Sequence, residues 1–388
     1  MNRLLGVGAW GIGCLAVCAL AMEATVRFDD WAQHGVPISS GVTGIDDLVT
    51  VDSLGKHPAA NRQYRYFRSN NLGFRGPDIS ETTLANHPVV VTSGASETFG
   101  LYESKNHEWP RLLENRLSNA CPSATPVVLN AGFAGMSLPT ITQDVRLRLS
   151  RLRPRVIVLY PTPVQYLEPK LPKAKLPTTT STPAPPAWTP RSSGRFRDAV
   201  KAIVPERILD WLRRRDTRSA RQGQGAAVWI SAPPERLDAF EAELRRFVGT
   251  VRAIRATPIL GVHQNRFRDT TSVIDQRWIR AWERFYPNAS GQALLQFEML
   301  AAARTRLVAA DSGVGLVDPS PQFRGPTDRL FADFVHFTDS GAAILADAIA
   351  PAVGKALGCR SGSPSAQLDT FLHPQSTAPG GDPNHRSR

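Results

Sequence analysis

The feature that most constrains this chain is a rhythm of short β-branched runs separated by stretches with helical spacing. His87-Pro88-Val89-Val90-Val91-Thr92-Ser93 is short, β-branched and closed by Gly94. Such a run reads as a strand buried on both faces. Residues 107–118 then place Trp109, Leu112, Leu113 and Leu117 on one side of a helix. Pro126–Asn130 reads as a second strand, followed by the Gly-rich loop Ala131–Ser137, a helix over 139–152 and a third strand, Arg155–Tyr160. Strand, loop, helix and strand at this spacing imply right-handed crossovers and a parallel sheet covered on both faces.

The rhythm pauses after the third strand. Residues 168–195 carry many Pro, Thr and Lys with no hydrophobic period, which reads as an exposed loop or disorder. Residues 196–215 form a basic amphipathic helix with a kink at Pro205, lying on the domain or on a membrane surface. The pattern then resumes with a helix over 234–254, a fourth strand Thr257–His263, a helix over 291–310, a fifth strand Val314–Asp318 and a last helix over 339–356. Residues 28–86 read as irregular, and 360–388 as a disordered polar tail. The 388 residues suit one large α/β domain, here 28–359 with an insertion at about 168–232.

Leu4–Met22 is apolar or Gly and uncharged, long enough to cross a bilayer core of about 30 Å. Arg3 precedes it, while Glu23, Asp29 and Asp30 follow, so the remainder of the chain is expected outside the cytoplasm. Residues 1–27 therefore read as a single-pass anchor, with a cleaved signal segment as the alternative because Ala19-Leu20-Ala21 has the small-x-small form. Beyond it only Cys121 and Cys359 remain, an even pair that can form a disulfide in an oxidising compartment or stay as two buried thiols. The formal net charge of +12 raises nucleic acid as a partner, but the excess is local to Lys170–Arg221 and lacks any zinc-finger or RNA-binding pattern, so none is expected. No His-Glu-x-x-His or clustered Cys/His spacing points to a metal, and no cofactor is implied.

Two motifs carry chemistry. Gly94-Ala95-Ser96-Glu97-Thr98-Phe99-Gly100 places a Ser on the turn after the first strand, and Asp333-Phe334-Val335-His336 places an Asp and a His three residues apart before the last helix. Ligands of parallel sheets bind beyond the carboxyl ends of the strands, where both motifs fall. Ser96 reads as a nucleophile or as a helix cap. As a nucleophile it needs a base to take its proton. His336 suits that role, because its ordinary pKa of about 6.5 leaves it mostly neutral at pH 7. Asp333 can bond the far ring nitrogen, fix the tautomer and stabilise the imidazolium. The bland reading of the pair is a loop turn with a partly buried His. His263, at the end of the fourth strand, reads as a rim residue lining the same mouth or as a satisfied core His. His107 reads as a solvated helix start, and Arg266 as a surface Arg or an anion holder.

The α/β-hydrolase elbow has Gly-x-Ser-x-Gly and a long gap between acid and His; here Thr98 replaces the second Gly and acid and base share one segment. That combination resembles the SGNH (GDSL-like) hydrolase superfamily. Asn130-Ala131-Gly132-Phe133-Ala134-Gly135 resembles its second block, and Asn70-x-x-Gly73-Phe74-Arg75-Gly76 with Glu23–Arg27 resembles membrane-anchored bacterial members. The likeness spans about residues 66–165 and 255–357. It implies a three-layer α/β/α sandwich with a mainly parallel, flavodoxin-like sheet of about five strands. It implies Ser96, Asp333 and His336 as the catalytic set and the N–H groups of Ser96 and Gly135 as the oxyanion hole. It also implies an O-acyl ester hydrolase of the bacterial inner membrane, facing the periplasm or cell exterior and acting on an acylated envelope or exported polysaccharide. An O-acetyltransferase with the same triad and a non-catalytic polysaccharide-assembly protein are the alternatives. Two departures stand out. Ala95 occupies the position where an Asp is usual, and Tyr160–Gln165 contains no Asn where the family places an oxyanion donor. Loss of one such donor costs about 10²–10³ in rate, so either Thr162 or Gln165 substitutes, or the enzyme is slow or the site has changed use.

Overall fold

The computed structural model describes residues 2–122, 124–192, 195, 228–268, 272–324 and 326–359. The expected basic helix at 196–215 and the expected tail at 360–388 lie outside the described residues.

Five strands form one parallel sheet: β5 (Val89–Gly94), β6 (Val127–Asn130), β7 (Val156–Tyr160), β8 (Thr257–Gly261) and β9 (Gly315–Val317). Their order is β6-β5-β7-β8-β9, the flavodoxin-like 2-1-3-4-5 arrangement of a doubly wound sheet. Alternate side chains enter two separate cores, as a period of two demands. Val91, Leu129, Ile157, Leu159 and Leu260 pack toward α5 (Leu138–Leu147), α6 (Pro234–Ala253) and α8 (Gly291–Ser312). Val90, Val128, Val156, Val158 and Ile259 pack toward α4 (Trp109–Ala120) and α10 (Asp339–Leu357). Burying each such side chain is worth about 1.5–3 kcal/mol, which explains why the strand runs alternate in face but not in polarity. Helix α10 is long and apolar enough to cross a membrane by length and composition. In the fold its stripe of Leu345, Ile349 and Val353 is fully buried against the sheet, so burial in the sandwich accounts for its composition.

A disulfide joins Cys121, at the end of α4, to Cys359, just past α10, with Cα atoms 5.2 Å apart. It ties the two helices of one layer across a sequence separation of 238.

The structure differs from the expected irregular stretch 28–86. Helix α1 runs unbroken from Asn2 to His34, past the expected boundary at residue 27. Two small antiparallel pairs follow, β1 (Val49–Asp52) with β2 (Gly55–Pro58) and β3 (Gln63–Tyr64) with β4 (Phe67–Arg68), then α2 (Glu81–Asn86). A further helix, α7 (Val273–Phe285), precedes α8, and the one-turn α9 (Thr327–Leu330) precedes the Asp333 loop. Residues 168–191 contain only turns, bends and irregular backbone past the short turn at 163–167, as expected, yet the segment is pinned. The N–H groups of Thr178 and Thr182 donate to Asp52 and Val51 carbonyls at 2.9 and 3.0 Å. Arg191, 4% exposed, donates from its backbone to the Glu23 carboxylate of α1 and from its guanidinium to the Pro37 and Ser40 carbonyls. Arg27 of α1 donates in return to the Ala187 and Thr189 carbonyls.

Candidate active site

Strand β5 ends at Gly94, and the one-turn helix α3 (Ser96–Phe99) begins two residues later. The turn is tight because glycine allows it: a Cβ on Gly94 would lie 2.0 Å from Thr98 Oγ1 and 2.6 Å from the Tyr160 carbonyl. Two polar side chains lock α3 from outside. Asn130, 3% exposed at the end of β6, donates to the Thr98 carbonyl at 3.0 Å and accepts from the Gly132 N–H at 3.0 Å. Arg75, also buried, donates to the Phe99 and Gly100 carbonyls and pairs with Glu108 at 3.4 Å. Arg75 is in turn held by the Asn70 loop, where the Asn70 side chain accepts from the Leu72 and Phe74 N–H groups. The Asn70–Gly76 motif thus braces the turn that carries Ser96.

Asp333 and His336 lie in the loop before α10. One oxygen of Asp333 accepts the N–H groups of Val335 and His336, each at 2.9 Å, and the other meets His336 Nδ1 at 2.7 Å. With Nδ1–H on the carboxylate, Nε2 of a neutral ring carries the lone pair. That Nε2 is buried and has no hydrogen-bond partner among the described residues. The Tyr102 ring covers the imidazole at 5.1 Å, and Ser104 N–H donates to Asp339 at 2.7 Å, joining the loop after α3 to the start of α10. Arg266 is neither exposed nor open to a ligand. It is 2% exposed, donates to the Asp333 carbonyl at 3.4 Å and lies over Trp278, so it supports the Asp333 loop. His107 is exposed, as a solvated helix start should be.

Ser96 Oγ does not bond His336. It donates to Glu97 Oε2 at 3.2 Å. Glu97, 1% exposed, also accepts from Thr162 Oγ1 at 3.1 Å and meets His263 Nε2 at 3.3 Å. Behind it, His263 Nδ1 meets Glu298 Oε2 at 2.6 Å. His263 is therefore a satisfied buried residue with both ring nitrogens occupied, and it offers no N–H to a substrate. Thr162 has its single proton on Glu97, and Gln165 donates one amide N–H to the Met136 carbonyl at 3.2 Å, bracing the 131–137 loop. Gly135, in that loop, has φ +70° and is exposed, and its N–H and that of Ser96 have no partner among the described residues.

The charges follow from these contacts. Burial alone would raise the Glu97 pKa, but the His263 hydrogen bond and charge outweigh it, aided by His336, and hold the carboxyl at about 2. Burial likewise opposes protonation of His263, but Glu298 and Glu97 raise its pKa to about 10. His336 is raised above its ordinary value against the cost of burial, by Asp333 first and then by Glu97 and Glu103. Burial pushes Glu103 up to about 8. Glu97 touches Ser96 and acts on His336, so the Ser96 hydroxyl and the His336 ring share one neighbour.

Glu97, Glu298 and Arg75 were not singled out as site residues from the sequence. One signal was available for Glu298: it falls on the buried face of α8 between Phe297 and Ala301, where a charge needs a partner.

No family model matches the chain, and no curated protein matches it. Among solved structures it is similar to an alpha/beta hydrolase enzyme from the metagenome of Lake Arreo, Spain, at 14% identity over 71% of this chain and 97% of that one, with a TM-score of 0.40. It is also similar to the lipase/acylhydrolase from Enterococcus faecalis (12% identity, 71% and 100% covered, TM-score 0.42) and to an acetylxylan esterase from Geobacillus stearothermophilus (12%, 69% and 94%, 0.39). At this distance no residue role is carried across.

Proposed function

We propose that this chain is a serine ester hydrolase of SGNH type. The observation that carries the reading is the Asp333–His336 pair, its Nε2 unpartnered among the described residues, beyond the carboxyl ends of the strands, as is Ser96 on its braced turn. Ser96 Oγ attacks the ester carbonyl as His336 Nε2 takes its proton. The oxyanion lies against the Ser96 and Gly135 N–H groups. His336 then returns the proton to the departing alcohol, leaving an acyl-Ser96. Water attacks that ester, giving its proton to His336, and the acid leaves as Ser96 recovers its hydrogen. Asp333 holds the tautomer throughout. The test is hydrolysis of a chromogenic acetyl ester: Ser96→Ala should lower the rate at least about 10³-fold with thermal unfolding unchanged. Retained hydrolysis would contradict it.

The molecule's setting is read from α1. Leu15 and Leu20 are 72% and 70% exposed on a stretch of helix that no described residue covers, as suits a segment in lipid. Past it, Phe28, Trp31, Ile38 and Trp188 are exposed around the Arg27–Arg191 clamp, where an interfacial aromatic belt would fall. A single-pass anchor at 1–27, a domain over 28–359 facing the periplasm, and an acylated polysaccharide substrate belong to this proposal, and the disulfide suits that oxidising side. One observation favours a second reading, a non-catalytic polysaccharide-binding protein. No Asn follows β7, and Thr162 has no proton to spare for an oxyanion.

A further inference from the structure

The reaction above leaves three buried ionisable side chains unused, and they adjoin the nucleophile. Glu298 comes from α8, His263 from the end of β8 and Glu97 from α3, and together they form one line: Glu298 Oε2 to His263 Nδ1 at 2.6 Å, His263 Nε2 to Glu97 Oε1 at 3.3 Å, Glu97 Oε2 to Ser96 Oγ at 3.2 Å. Each is at most 6% exposed. Burying three such groups is costly unless they pair, and a pairing that served only the core would not need to end on the one hydroxyl proton the reaction uses. Thr162 donates to both oxygens of the same carboxylate, at 3.2 and 3.1 Å, and so fixes the rotation of Glu97.

We propose that Glu97, hydrogen-bonded to the His263–Glu298 pair behind it, is a positioning residue that holds the Ser96 hydroxyl and supports His336 as a base. The inference rests on the hydrolase reading. Glu97 and His263⁺ form an ion pair with the negative end toward Ser96 and His336. That end favours the imidazolium formed when Ser96 gives up its proton. Without His263⁺, the same carboxylate would repel the oxyanion nearby. With Glu298 behind His263, the three groups carry one net negative charge, which favours the imidazolium. In the resting site the Ser96 proton lies on Glu97 and His336 Nε2 is bare; attack requires the hydroxyl to turn from one to the other.

The groups acting on His336 are Asp333 from its own loop, Glu97 from α3 and Glu103 from the loop after α3, with the Tyr102 ring over it. Those around Glu97 are His263, His336, Thr162 and Ser96, with the Tyr160 and Tyr286 phenols also within its field.

The test is NMR titration of the histidine rings in the full-length chain, with His336 assigned by its loss in His336→Gln. In Glu97→Gln the His336 midpoint should fall, because a charge that favours its imidazolium is removed, and His263 should begin to titrate at lower pH. The acid limb of ester hydrolysis should move with His336. An unchanged His336 midpoint in the folded variant overturns the proposal, even where Ser96→Ala abolishes hydrolysis, because the ring titration uses no substrate. Glu97→Asp keeps the charge on a shorter arm and is the second variant should Glu97→Gln not fold. It should keep the raised His336 midpoint but slow phosphonate labelling of Ser96 about ten-fold, and an unchanged labelling rate overturns the positioning role.

Discussion

His263 and His336 both lie in the field of the Glu97 carboxylate, and each is hydrogen-bonded to an acid of its own. His263, from the end of β8, has Glu298 on Nδ1 and Glu97 on Nε2, and its side chain is 2% exposed. His336, from the loop before α10, has Asp333 on Nδ1 and no partner on Nε2 among the described residues, and its side chain is 13% exposed beneath the Tyr102 ring. Both pKa values are raised, and His263 is driven to about 10, where it cannot release a proton near neutral pH. An acid–base group needs an empty valence and a pKa near the working pH. A nearby carboxylate alone does not make a histidine a base; a second carboxylate on the other nitrogen turns it into a fixed cation.

The largest expected effects separate the two rings by kind. His336→Gln should lower ester hydrolysis at least about 10³-fold, and Asp333→Asn by a similar or greater factor because the tautomer is lost, with the unfolding midpoint little changed. His263→Gln should act in the opposite sense, on stability. It leaves Glu97 and Glu298 buried without their cation, a loss of about 3–5 kcal/mol readable by urea titration. If His263→Gln unfolds at the wild-type urea concentration, the fixed-cation account of that ring fails.

The three strands that carry or flank the site were legible because each is a β-branched run with burial on both faces, and the Asp333–His336 spacing was legible because three residues of one loop suffice to bring acid and imidazole together. Helix α7 was not legible. Its first residues, Val273 and Ile274, are 83% and 63% exposed while Asp275 is buried against Arg266, so polarity at its start runs opposite to burial. The Glu298–His263–Glu97 line was hidden for another reason. Its contacts join residues 35 and 166 positions apart, and no periodicity links a one-turn helix, a strand end and the face of a long helix. Ser96 stood out in the sequence as a candidate nucleophile, but that its resting proton lies on the adjacent Glu97 depends on a side-chain rotation no motif encodes.

pH sharpens the comparison further. Hydrolysis needs neutral His336, whose folded pKa is raised, so the rate should climb with pH through a midpoint above 6.5. A midpoint at or below 6.5 in the kcat/KM profile would argue against the carboxylate ring around that residue. Stability should respond to the other ring. The folded pKa of His263, about 10, exceeds its unfolded value of about 6.5. Its contribution is therefore full below about pH 6.5 and is lost as pH rises toward 10. Glu97, depressed to about 2, contributes above about pH 4.5 and loses that contribution as pH falls toward 2. Urea midpoints across pH 2–10 should fall off on both sides and flatten on the alkaline side in His263→Gln. The smallest effect belongs to Tyr102. Its ring over His336 is worth about 0.5–1.5 kcal/mol, so Tyr102→Ala should lower kcat/KM by no more than about ten-fold.

The central claim is that Ser96 is a nucleophile made reactive by His336. It is tested most directly by treating the full-length chain with a serine-directed organophosphonate and mapping the adduct by mass spectrometry in wild type and in His336→Gln. The account predicts a single adduct on Ser96, formed at least about 10³ times more slowly in the variant. An adduct on another residue, or equal labelling rates in the two proteins, would contradict it.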